Sequence, residues 1–168
     1  GSDYVANLHM SGNAELVRAW LEGDWSVIAG AFFPEFSLSK HVIQPIELPK
    51  DWTRFRSMDW GSAKPFSVGW WAISDGVLPQ FPRGALIRYR EWYGSTGEPN
   101  VGLRMPANEV GQGVVSRETG ETITYSVVDP AAWISDGGPS IAERLGLPGI
   151  RKADNSRVPR GLGAMGGW

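Results

Sequence analysis

Residues 53 to 94 hold three segments rich in β-branched and aromatic residues: TRFRSMD (53 to 59), PFSVGWWAIS (65 to 74) and ALIRYREWYG (85 to 94). Side chains of this kind suit a pleated surface, and the turn-like GSAK and DGVLPQFPRG between the segments read as hairpin links. Sequential strands joined by such short links pair antiparallel. Downstream, Pro106 can start a helix in which Val110, Val114 and Glu118 fall on successive turns through SRETG. Gly111 and Gly113 each cost that helix about 1 kcal/mol relative to alanine, so either a backbone approaches closely there or tertiary packing holds the helix. ETITYSVVD (121 to 129) reads as a fourth strand and DPAAWISDGG as a loop. PSIAERLG (139 to 146) reads as a helix with Ile141, Ala142 and Leu145 on one face, and GIRKAD as a last short strand.

The predicted order is therefore β-β-β-α-β-α-β, an α/β fold. A helix between the hairpin series and the fourth strand makes a crossover, which places that strand parallel to the first and beside it. Asp59 ends the first strand and Asp129 ends the fourth, so the two carboxylates are expected at one edge of the sheet. Neither strand end supplies a basic partner, and like charges held together need a cation or a shared proton. Mg²⁺ or Mn²⁺ would answer that need with oxygen ligands, and two such ions about 4 Å apart can drive phosphodiester hydrolysis. Two other uses stay open: each Asp can cap the turn that follows it, or the pair can act as a glycosidase-type acid and base.

The N-terminal part differs in texture. A short amphipathic helix is expected after Ser11 or Asn13, with Leu16, Val17, Trp20 and Leu21 at helical spacing and Gly23 at its end. From Gly30 to Lys50 the chain reads as an extended connector, because Pro34, Pro45 and Pro49 forbid a long helix. Phe32, Phe33 and Phe36 are expected to anchor that connector in a core. The division is thus 1–50 as helix and connector and 51–168 as the strand-rich domain.

Net charge is −2, yet residues 1 to 51 carry three basic and seven acidic side chains, whereas residues 144 to 168 carry five basic and one acidic. A basic end beside an acidic site suits a phosphate-bearing partner, and it equally suits a solvated tail. Lys64, Arg151, Lys152, Arg157 and Arg160 are the candidate phosphate contacts. No run of about 18 apolar residues indicates a membrane span, and no basic-then-apolar leader is present. The lack of cysteine excludes disulfides and thiolate zinc sites, which fits an intracellular protein. At least one of Trp70 and Trp71 must face the core. Glu91 is expected on an exposed strand position, and His9 and His41 in surface or packing roles.

Several segments, in order, resemble the nuclease half of phage terminase large subunits: LVRAWLEGDWSVIAGAFFPEF, RFRSMDWGSAKPFSVGWW, REWYG, VGLRMPANEV and YSVVDPAAW. Those enzymes are similar in fold to ribonuclease H and the Holliday-junction resolvases. The resemblance implies a ribonuclease H-like mixed sheet and a divalent-metal-dependent endodeoxyribonuclease, with Asp59 and Asp129 holding the catalytic Mg²⁺ or Mn²⁺. It also implies double-stranded DNA as substrate, and in the full-length protein an ATPase domain, a portal and a small terminase subunit, within the cytoplasm of a bacterial host. Two departures stand out. The chain has no GxxxxGK[ST], since GSAKPFS lacks the spacing. Family members also carry a third acid on a C-terminal helix, and Asp136, Glu143 and Asp154, the only acids after Asp129, do not fit that position. The resemblance therefore implies a C-terminally incomplete nuclease domain with weak or absent activity.

Overall fold

A computed structural model of the protein describes residues 36–154. The chain divides into two units, Gly1–Glu47 and Leu48–Trp168. In the first, the described segment contains α1 (Leu38–His41), which buries none of its residues. Phe36, expected as a core anchor, is instead 57% exposed and stacks on His41 with ring centroids 5.4 Å apart. Among the described residues, a one-turn helix with nothing buried offers Phe36 the flat face of an exposed imidazole. The helix expected after Ser11, together with Phe32 and Phe33, lies outside the described residues.

The second unit contains the expected sheet. β1 (Thr53–Asp59), β2 (Ser67–Ile73) and β3 (Leu86–Tyr93) pair antiparallel in series. After them come α2 (Ala107–Ser116), β4 (Tyr125–Val128), a 3₁₀ helix (Pro130–Trp133), α3 (Ile141–Leu145) and β5 (Ile150–Lys152). The strands lie in the order β3-β2-β1-β4-β5, with β4 parallel to β1 and β5 parallel to β4. The crossover through α2 thus delivers β4 beside β1, as the element order requires.

Alternation along the strands separates two faces. One face carries Met58, Val68, Trp70 and Val128, which form a core with Val110 and Val114 of α2 and Ala142 and Leu145 of α3. Gly111 is where the two helices meet, since a Cβ there would collide with the carbonyl of Leu145. Both explanations offered for the glycines hold here: the Leu145 backbone approaches Gly111 closely, and Val110 and Val114 pack the helix into the core. On the opposite face Phe55 stacks between Trp71 and Tyr125, and the Arg151 guanidinium lies 4.8 Å over the Tyr125 ring.

Among the described residues, charge enters the core at Arg56. Arg56, 1% exposed, pairs with Glu118 at 3.1 Å and donates to the carbonyl of Pro148 at 3.1 Å, while Trp70 Nε1 donates to Glu118 Oε1 at 2.6 Å. This use of Glu118 explains why α2 stops at Ser116 rather than running through SRETG: the side chain is drawn across the sheet, and Gly120 turns the chain at φ 78°. β4 is likewise shorter than the expected 121–129. Glu121 accepts from the Tyr89 hydroxyl at 2.7 Å and pairs with Arg90 and Arg54, so it bridges to β3 instead of entering a ladder.

Candidate functional site

The site is built from the ends of β1 and β4. Met58 and Val128 are register partners, and the Asp129 N–H donates to the Met58 carbonyl at 3.1 Å. Asp59 and Asp129 are therefore the next residues on adjacent parallel strands, 70 positions apart in sequence. Both follow a core-facing residue, so both project from the face opposite the helices.

Their surroundings differ. Asp129 caps the 3₁₀ helix: Pro130 follows it, and Oδ1 accepts the Ala131 N–H at 2.7 Å. The turn-capping use of this residue is thus real, and it fixes the carboxylate without consuming Oδ2. Among the described residues no group donates a hydrogen bond to the Asp59 carboxylate. Burial and, second, the negative charge of Asp129 raise its pKa above the ordinary value of 3.8. Desolvation is the larger cause, and the smaller contribution from Asp129 is the repulsion between two carboxylates at one sheet edge.

The loop after Asp59 is held rigidly. Trp60 packs against the core, and the Gly102 N–H donates to the Ala63 carbonyl at 2.9 Å and the Arg104 N–H to the Ser62 carbonyl at 3.1 Å. A Cβ on Gly102 would strike the Ser62 and Lys64 carbonyls, so the two segments can meet only with glycine there. Lys64 rides exposed on this braced loop, at the same edge as the carboxylates. Arg104, exposed and at φ 57°, joins it there, and no periodicity or turn signal in the sequence marks it. Arg151 sits opposite Val127, on the carboxylate face but two residues back from the edge, and exposed Lys152 sits opposite Val128. Arg157 and Arg160 lie outside the described residues.

Two hard oxygen donors that repel one another fit Mg²⁺ or Mn²⁺, which binds through one or two carboxylates and retains water. Among the described residues no group of three or more potential metal-ligating side chains gathers. Glu143 is engaged at its own helix N-terminus, where it accepts from the Ser140 N–H at 2.7 Å. Asp136 stands in the exposed loop before α3, and Asp154 lies two residues past β5. Glu91 is exposed, as expected, and pairs with Arg88 at 3.3 Å. Among the described residues no helix is long and apolar enough to cross a membrane.

A mixed five-stranded sheet with three antiparallel strands, a fourth parallel to the first and helices packed on it defines the ribonuclease H-like class. Among solved structures, the chain is similar in fold to the large terminase from a thermophilic bacteriophage. One crystal form of that protein gives a TM-score of 0.54 at 16% identity, covering 91% of this chain and 36% of that one. Another gives 0.54 at 18% identity, covering 74% and 28%. The nuclease domain of the P22 large terminase scores 0.43 at 13% identity, too low to add weight. The chain spans about a third of the length of the thermophilic phage protein. No protein-family model and no curated protein sequence matches it.

Proposed function

We propose that this chain is the nuclease domain of a viral DNA-packaging terminase, cleaving double-stranded DNA by metal-dependent phosphodiester hydrolysis. The observation that carries the reading is the adjacency of Asp59 and Asp129 at the ends of parallel β1 and β4, with the Asp59 pKa raised by burial and by its neighbour's charge. Fold similarity to a large terminase supports it. In this reading Asp59 and Asp129 hold Mg²⁺ or Mn²⁺, which when bound supplies Lewis acidity and a water of lowered pKa. The chain's own residues do the positioning. The Ala131 N–H holds the Asp129 carboxylate in one orientation, the braced loop keeps Lys64 at the lip, and Lys64 with Arg151, Lys152, Arg157 and Arg160 attracts the phosphate backbone. In the cytoplasm of a bacterial host the domain works beside an ATPase domain, a portal and a small terminase subunit.

Conversion of supercoiled plasmid to nicked and linear forms in Mn²⁺ tests the reading. The comparison sets this chain beside a version extended at its C-terminus, each with and without Asp59→Ala and Asp129→Ala. The extended protein is expected to cleave, and either substitution to abolish cleavage. Equal nicking by the Asp59→Ala protein overturns the assignment. DNA binding without cleavage in every version favours a catalytically silent binding module.

A further inference from the structure

The register of the sheet places two hydroxyls in line with the carboxylates. Asp59 is the antiparallel partner of Ser67, and Ser67 is the partner of Tyr93. Directly opposed antiparallel residues project from the same face, so Tyr93, Ser67, Asp59 and Asp129 form one row across β3, β2, β1 and β4. Strands lie about 4.8 Å apart, which sets Ser67 roughly 5 Å and Tyr93 roughly 10 Å from Asp59 along the row. A B-form strand advances about 3.4 Å per phosphate along its axis, so the row spans a few successive nucleotides.

Packing does not account for these hydroxyls. Tyr93 is 55% exposed and Ser67 is half-buried, and neither hydroxyl bonds a protein group among the described residues. The row also borders a neutralised surface, because Glu91, two residues before Tyr93 on the same face, pairs with Arg88 at 3.3 Å. The Glu91 carboxylate beside the β3 end of the row is thus paired with a cation.

The geometry points to Ser67 and Tyr93 as substrate-positioning residues: their hydroxyls donate to phosphate oxygens of a DNA strand that crosses the sheet edge from β4 toward β3, flanking the phosphate at Asp59 and Asp129. This rests on the nuclease reading and adds the path and direction of the bound strand. Hydroxyls are the right donors for such contacts, which fix register without adding charge.

Fluorescence anisotropy of a short labelled DNA duplex, titrated at several salt concentrations, tests it. Ser67→Ala and Tyr93→Phe are each expected to weaken binding about tenfold with the salt slope unchanged, because the lost contact is neutral. Lys64→Ala is expected to lower the slope by about one. Thermal midpoints should stay at the wild-type value, which separates a contact from a folding defect. Wild-type affinity in both hydroxyl variants overturns the inference, as does a chain that binds no DNA. Asp59→Ala in the C-terminally extended protein isolates the underlying reading: cleavage lost with binding retained upholds the Asp59–Asp129 nuclease site, and cleavage retained removes that assignment while the hydroxyl row is still judged by binding.

Discussion

Glu118→Ala removes the carboxylate that compensates a guanidinium inside the sheet–helix core. The Arg56 side chain is 1% exposed and Glu118 10%, with 3.1 Å between charged atoms. Burial pushes the Arg56 pKa down, and the Glu118 charge and hydrogen bond oppose that push. Without Glu118, Arg56 keeps its bond to the Pro148 carbonyl but loses its anion, its Nε already lacks a partner, and Trp70 Nε1 is left with no acceptor. Breaking a buried pair from one side costs about 3–5 kcal/mol. Small domains have about 5–15 kcal/mol to lose, so about a fifth of the stability disappears at the least and nearly all of it at the most. In urea, with a slope near 2 kcal/mol per molar, the midpoint should fall by about 2 M when followed by tryptophan fluorescence. The double variant Arg56→Met/Glu118→Met removes both charges and should recover much of the loss. A single variant less than about 1 kcal/mol weaker than wild type would refute the reasoning, and a double variant as weak as the single would assign the cost to packing.

Three further outcomes follow from particular contacts. Gly111→Ala should destabilise by about 1–3 kcal/mol in chemical denaturation despite alanine's better helix propensity, because the new methyl meets the Leu145 carbonyl. Ser140→Ala removes one half of a capping box on α3 and should cost about 1 kcal/mol in the same assay. Glu121→Gln tests a pH dependence. Burial raises the Glu121 pKa, but the Tyr89 hydroxyl, Arg90 and Arg54 outweigh burial, and the net value lies below the ordinary 4.5. A depressed carboxylate contributes stability that is present above the unfolded value and lost as pH falls through the folded one. The Glu121→Gln deficit should therefore be full at neutral pH and shrink progressively below about pH 4.5, as read from thermal midpoints across a pH series. A deficit independent of pH would mean that shape rather than charge holds this cluster.

The sheet order was legible because each link left one choice. Short connections forced 53–94 into a meander, and one intervening helix forced the fourth strand back beside the first. Asp59 and Asp129 could be placed together on that basis alone. What periodicity does not encode is where side chains override local propensity. Glu118 and Glu121 look like an ordinary helix end and strand start, yet each is drawn to partners far along the chain, and α2 and β4 are both shorter for it. The Ser67–Tyr93 row was within reach of counting across the hairpins, but only once the pairing Asp59 with Ser67 was fixed, and the seven-residue connection from Trp60 to Phe66 permits several registers. Arg104 carries no signal at all, because its place comes from a backbone contact to Ser62.

The parallel contact between β1 and β4 also determines when the site exists. The hairpins of β1, β2 and β3 close over short loops, whereas the pairing of β4 with β1 spans the intervening hairpins and α2, so it closes a longer loop at a greater cost in entropy. A chain with only the meander folded holds a lone, hydrated Asp59 and no pair. In the proposed function, the cation site between the strand ends thus belongs to the finished sheet and to no piece of it, and a partly folded or frayed copy of the domain lacks the carboxylate pair on which that function rests.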